Sequence, residues 1–217
     1  MKLSFSTRGW ENYSFEELER LAEENGMSGI EVYDLNKTPS LTKKGAPFHK
    51  YNTMATERSL RERHLSIPAI DSYIDLSEKE FDIDGLTALL EYAENMDVPF
   101  VSAAAMKDDE EAVRNNINEI LPLFEEKNVT LLIRTNGIYS NTERLRDLLD
   151  SFSNDNLSAL WDVHHPYRDC NETPADTIKN LGAYVRHVHM RDSDDKDTYN
   201  LIGEGTMPVD DIMRSLS

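Results

Sequence analysis

The 217-residue sequence predicts an α/β fold: a (β/α)8 TIM-barrel-like domain with seven β/α units and no eighth strand or helix. Three observations lead there. Short apolar runs without helical period alternate with amphipathic runs along the whole chain, implying a parallel sheet with helical crossovers. Polar side chains gather just after those apolar runs, at the sheet edge where barrels build their sites. No glycine-rich phosphate loop follows the first run, which argues against a dinucleotide-binding open sheet.

Lys2 to Thr7 alternates Leu3 and Phe5 with small polar residues and reads as the first strand. Ser14-Phe15-Glu16-Glu17 is a capping box; Phe15, Leu18, Leu21 and Ala22 give its helix an apolar face, and Gly26 ends it. Gly29 to Tyr33 is the second strand, ending in Glu31, Tyr33 and Asp34. A polar connection with Pro39, Gly45 and Pro47 is expected to be a loop, and residues 52–64 a helix. Ser66 to Ile70 reads as the third strand, and Asp84 to Asn95 as a helix carrying Leu86, Leu89, Leu90 and Ala93. Phe100 to Ala105 is the fourth strand. Asp108 to Glu111 then place acid at a helix start, where the dipole favours it. Pro122 should kink or restart that helix. Val129 to Ile133 is the fifth strand, ending in Arg134, Thr135 and Asn136, and residues 142–152 form the next helix.

Residues 157–192 organise the rest. Leu157 to Trp161 is a short apolar run of the kind a buried parallel strand shows, followed by Asp162, His164 and His165. Thr173-Pro174 opens a helix and Gly182 closes it. The next strand holds Val185 and Val188, with His187, His189, Arg191 and Asp192 crowding its end. Two neighbouring strands thus deliver Asp and His side chains to one edge. A last helix, Val209 to Leu216, carries Ile212 and Met213 and demands an apolar partner.

The whole of residues 1–217 reads as a single domain. Its net charge is −18, which repels phosphate backbones and anionic membranes, so neither nucleic acid nor membrane is expected as a partner. The lone Cys170 forms no internal disulfide and suits a reducing cytoplasm. Full barrels use ~250 residues, so strands one and seven are left without their common neighbour. The expectation is a distorted direct pairing of the two, a homodimer that covers them, or later residues that supply strand eight.

The motifs WDVHH at 161–165, HVHMRD at 187–192 and GEG at 203–205 resemble the xylose isomerase-like TIM barrels, the sugar phosphate isomerases and epimerases. GIEVYD at 29–34 and VTLLIRTNG at 129–137 add weaker matches. The resemblance implies a small keto sugar, polyol or sugar phosphate as ligand and a divalent metal (Mn, Mg, Co or Zn) as cofactor. It makes Asp162 and His189 metal ligands, and places His165 and Glu31 against substrate. Arg134, however, stands where the family has a strand-five Glu. A guanidinium has no usable lone pair and would repel a cation ~4 Å away by several kcal/mol. Arg134 is therefore expected either to replace the metal as the partner of Asp162 or to hook an anionic substrate group. The strand-eight Glu has no counterpart; Glu204 is assigned either to the pocket or to a turn. His164 reads as structural, Cys170 as incidental, and the acidic run from Asp192 to Asp197 as a solvated loop rather than a calcium loop. Two functions follow: an isomerase or epimerase with a degenerate metal site, or a barrel that binds ligand or partner without catalysis. DNA-repair nuclease chemistry needs a basic groove that this acidic chain does not offer.

Overall fold

The computed structural model describes residues 1–80 and 82–216. Seven strands form one sheet in chain order: β1 (Ser4–Ser6), β2 (Gly29–Tyr33), β3 (Ile70–Asp75), β4 (Phe100–Ala104), β5 (Thr130–Arg134), β6 (Leu157–Asp162) and β7 (Val185–His189). The pairings β1–β2, β2–β3, β5–β6 and β6–β7 are parallel, and helices lie between successive strands. This is the TIM-barrel-like fold expected, with seven strands in the sheet among the described residues. β1 and β7 are its edges.

The helices are α1 (Phe15–Glu24), α2 (Pro39–Thr42), α3 (Thr53–Glu62), α4 (Ile83–Asn95), α5 (Glu110–Glu126), α6 (Thr142–Phe152), α7 (His164–Cys170), α8 (Pro174–Leu181) and α9 (Val209–Ser215). The expected capping box forms, Ser14 with Glu17 at α1; Thr173 caps α8 as expected and makes a second box with Asp176. No described helix is long and apolar enough to cross a membrane.

Contacts divide the chain into two compact units. The first comprises residues 1–73, 82–102 and 122–129. The apolar face of α1 is buried there: Phe15 meets Phe48 edge-on, with ring centroids 4.9 Å apart. The second comprises residues 74–81, 103–121 and 130–217. In it Trp161 and Val163 pack with Met207 and Ile212, and Val209 and Leu216 lean on the same cluster. The partner that α9 demanded is thus the segment running out of β6.

The structure departs from the sequence reading at several places. β3 begins at Ile70, four residues late, because Pro68 cannot donate to a ladder; Ser66 contributes only an isolated bridge to Gly29. The expected loop after β2 contains a 3-10 turn (Leu35–Lys37) and α2. α5 runs through Pro122 unbroken, its face of Val113, Ile117, Ile120 and Phe124 fully buried on both sides of the proline. Packing there outweighs one lost hydrogen bond. Gly182 caps α8 with φ −53°, so it does not use the left-handed stop expected of it. Two elements had not been foreseen: α7, and an antiparallel hairpin of β8 (Asp192–Ser193) and β9 (Tyr199–Asn200).

Candidate functional site

The C-terminal ends of β6 and β7 carry the densest polar grouping of the second unit. Asp162 is the last residue of β6 and is fully buried. The Thr135 hydroxyl, one strand away, holds its backbone from both sides. It accepts from Asp162 N at 2.9 Å and donates to Asp162 O at 3.0 Å. Oδ1 accepts from His164 N at 3.3 Å. Oδ2 lies 3.1 Å from Nη2 of Arg191 and 4.0 Å from Nε2 of His165. The Arg191 contact is an ion pair without the alignment of a hydrogen bond.

The pairing expected between Asp162 and Arg134 is therefore replaced by Asp162 with Arg191. Arg134 does end β5 and is buried at 8% exposure. Its register partner, however, is Leu160, two residues short of Asp162. Asp162 is instead opposite His189. A shift in the ladder at Ala159/Leu160 skips Arg186 and moves His187 beside Leu160 and His189 beside Asp162. Such a bulge re-aims every residue after it. It leaves His187 and His189 stacked edge to face, 5.4 Å between centroids, each able to bring a ring nitrogen within 4.8 Å of the other.

α7 turns two histidines in different directions. His164 is buried at 1% exposure, its ring nitrogens without well-formed hydrogen bonds, and Tyr199 of β9 stacks on it at 5.0 Å. Burial, then the neighbouring His165, lower its pKa, although the backbone of Asp195 opposes the shift. It stays neutral in the fold. The unfolded chain therefore takes up its proton first, and stability should fall as pH drops below the ordinary value of 6.5. His164→Gln should flatten the pH dependence of the urea midpoint between about pH 6.5 and 5; an unchanged slope would show that another group is responsible.

His165, one residue on, is partly open. Its Nδ1 is 3.0 Å from Asp169 Oδ2, one helical turn away, and Lys196 Nζ reaches Asp169 Oδ1 at 3.3 Å. Burial would raise the Asp169 pKa, but the bonds from His165 and Lys196 hold it below the ordinary carboxylate range. An ionised Asp169 fixes the proton on Nδ1 and leaves Nε2 as the exchanging atom. The sequence carried this signal as His165 and Asp169 at a spacing of four. Pro166 between them does not disturb it, since proline in a first helical turn loses no bond.

Glu204 lies exposed in a turn after β9, between Gly203 and Gly205. Those glycines, not the glutamate, make the contacts. Gly203 N and Gly205 N donate to Asp192 Oδ2 at 2.8 and 3.1 Å; Ser193 N and Met207 N donate to Oδ1 at 2.8 and 3.1 Å. A Cβ on Gly205 would sit 2.3 Å from Oδ1. Asp192, read from sequence as the first residue of a solvated loop, is 1% exposed and organises the GEG motif. Arg168 of α7 fastens the same segment through the Ser193 hydroxyl and carbonyl and the Thr206 hydroxyl. Glu31, the remaining expected residue, belongs to the first unit. It sits within β2 opposite Ser6 and is buried at 3% exposure.

A divalent cation fits only part of this arrangement. A guanidinium 3.1 Å from Asp162 Oδ2 disfavours a cation bound to that oxygen, so the pairing of Asp162 with His189 as ligands does not fit. The imidazoles of His187 and His189 do fit as two nitrogen donors.

A family model described as xylose isomerase-like TIM barrel matches residues 19–217. Solved structures similar to the chain include the probable 3-DHS dehydratase AsbF of Bacillus anthracis, with 19% identity and a TM-score of 0.84 over all of this chain and 89% of that one. The zinc-bound IolI protein gives 17% identity and a TM-score of 0.79 over all of this chain and 84% of that one. The 3-keto-D-glucoside 4-epimerase YcjR of E. coli gives 12% and 0.77 over all of this chain and 87% of that one. At these identities the likeness carries the fold. No curated protein sequence matches the chain.

Proposed function

The chain belongs to the xylose isomerase-like TIM barrel family, and from that premise we propose that it moves a proton within a small keto sugar, polyol or sugar phosphate, as an isomerase or epimerase does. Epimerase and dehydratase chemistry in similarly folded proteins supports the substrate class. The observation that carries the reading is the convergence of His165 and Arg191 on one buried oxygen of Asp162.

The roles follow from the chemistry of those groups. His165, its Nδ1 proton held by Asp169, offers Nε2 to take a proton from the carbon beside a carbonyl. The electron pair left behind moves onto the carbonyl oxygen, and the Arg191 guanidinium meets that charge. A proton that has exchanged with solvent then goes to the former carbonyl carbon, while the neighbouring hydroxyl gives its proton up to the former carbonyl oxygen, or it reaches the original carbon from the other face through solvent. Asp162 keeps Arg191 in place by charge. No step is assigned to a metal, because the Asp162 ligand position does not fit one; His187 and His189 would hold a zinc-class ion apart from it.

One feature favours a second reading, ligand binding without turnover: Arg134 stands where the family has a carboxylate. Both readings are separated by incubating the protein with a panel of ketoses and their phosphates in D2O. Catalysis predicts deuterium at the carbon beside the carbonyl, read by NMR, with a rate that falls about 100-fold or more in His165→Asn. Calorimetric binding without exchange would establish the second reading. Neither exchange nor binding across the panel would overturn both.

A further inference from the structure

We infer that Arg8, Tyr33, Lys37 and Tyr73 form a binding site for a small oxyanion, the carboxylate or phosphate group of a metabolite. All four belong to the first unit. Tyr33 ends β2 and Tyr73 lies in β3, with Arg8 just after β1 and Lys37 just after β2. They therefore gather where three successive strands finish, the edge that barrels use for binding. The two tyrosine rings are 5.2 Å apart and their hydroxyls share a hydrogen bond. The Arg8 guanidinium lies over the Tyr33 ring at 4.9 Å, and the Lys37 ammonium over the Tyr73 ring at 4.4 Å. Thr7 ties the arrangement to the sheet by accepting from Tyr33 N at 2.9 Å.

What makes this a site rather than surface decoration is how the two charges are kept. The chain has 41 acidic residues against 23 basic ones, so an exposed cation readily finds a carboxylate. Arg58, Lys107, Arg144 and Arg146 all do, within 3.3 Å. Among the described residues, neither the Arg8 guanidinium nor the Lys37 ammonium has a carboxylate oxygen within 4.0 Å; Asp34 feels the Lys37 charge from farther off and is bonded by the Lys37 backbone N–H, not by its ammonium. An aromatic face orients a cation at a gain of only ~0.5–1 kcal/mol and leaves its charge and its N–H donors available. Burial first, then the bond to Tyr73, push the Tyr33 phenol up to about 12, against the pull of Arg8. The Tyr33 phenol thus stays neutral and adds no negative charge. Two held cations beside the paired tyrosine hydroxyls suit an oxyanion and nothing cationic.

Calorimetric titration of the full chain at constant ionic strength tests this, using D-gluconate, D-glucose 6-phosphate and the uncharged D-glucitol as probes. At least one anionic probe should bind about tenfold tighter than glucitol, and Arg8→Gln and Lys37→Gln should each weaken it about tenfold. Preference for gluconate identifies a carboxylate, and preference for the sugar phosphate a phosphate. The exposed pair Lys43→Gln/Lys44→Gln removes the same charge elsewhere and should leave the affinity unchanged. Equal binding of charged and uncharged probes would overturn the site. So would an equal loss in the Lys43/Lys44 control, or full affinity in Arg8→Gln/Lys37→Gln.

Discussion

Replacing Asp192 with alanine should lower the free energy of unfolding by about 3–5 kcal/mol, because it strands four backbone N–H groups around a buried hole. Those groups belong to Ser193, Gly203, Gly205 and Met207, and no other side chain is placed to accept from all of them. Asp192→Asn keeps an acceptor on one oxygen and should cost about half as much. Burial alone would raise the carboxyl pKa, but the N–H bonds outweigh it and hold it below the ordinary value of 3.8. Its contribution is therefore complete above that value and disappears as pH falls through the lower folded one. Urea unfolding of both variants near neutrality checks the prediction. A loss below about 1 kcal/mol for the alanine variant would mean that the GEG turn is held by other contacts.

Trp161→Ala should be comparably severe, about 3–5 kcal/mol, since the side chain is 1% exposed and sits in the cluster that Met207, Ile212 and Val163 complete. The buried indole N–H makes no hydrogen bond, so Trp161→Phe removes volume without orphaning a partner and should cost clearly less. Equal losses in the two variants would point to a contribution from the indole nitrogen itself.

The fold was legible because the two periodicities alternate cleanly, and because capping residues such as Ser14 and Thr173 mark where helices begin. What sequence could not supply was register. His187 and His189 are visible as a pair, yet the slip at Ala159/Leu160 decides that His189, not Val188, stands opposite Asp162. Partnership was equally hidden. Arg134 and Arg191 both follow apolar runs, and only the ladder shows that Arg191 is the one beside Asp162. Asp192 was misread for a related reason: the acids that follow it are solvated, and nothing in composition separates the one that folds inward. The GEG motif stands out in the sequence, but leaves Glu204 open between pocket and turn; its conformation serves the carboxylate eleven residues before it.

The covering of Trp161 by the last helix also sets an order of events during synthesis. The ribosome releases β6 well before it makes Met207 and Ile212, so the indole and its neighbours remain exposed while the intervening forty-odd residues emerge. At ~5–20 residues per second that interval lasts seconds, long compared with collapse and helix formation. A nascent chain of this protein therefore carries a sticky stripe of its own making, and the stretch from β6 to α9 is where a chaperone would find the most to hold.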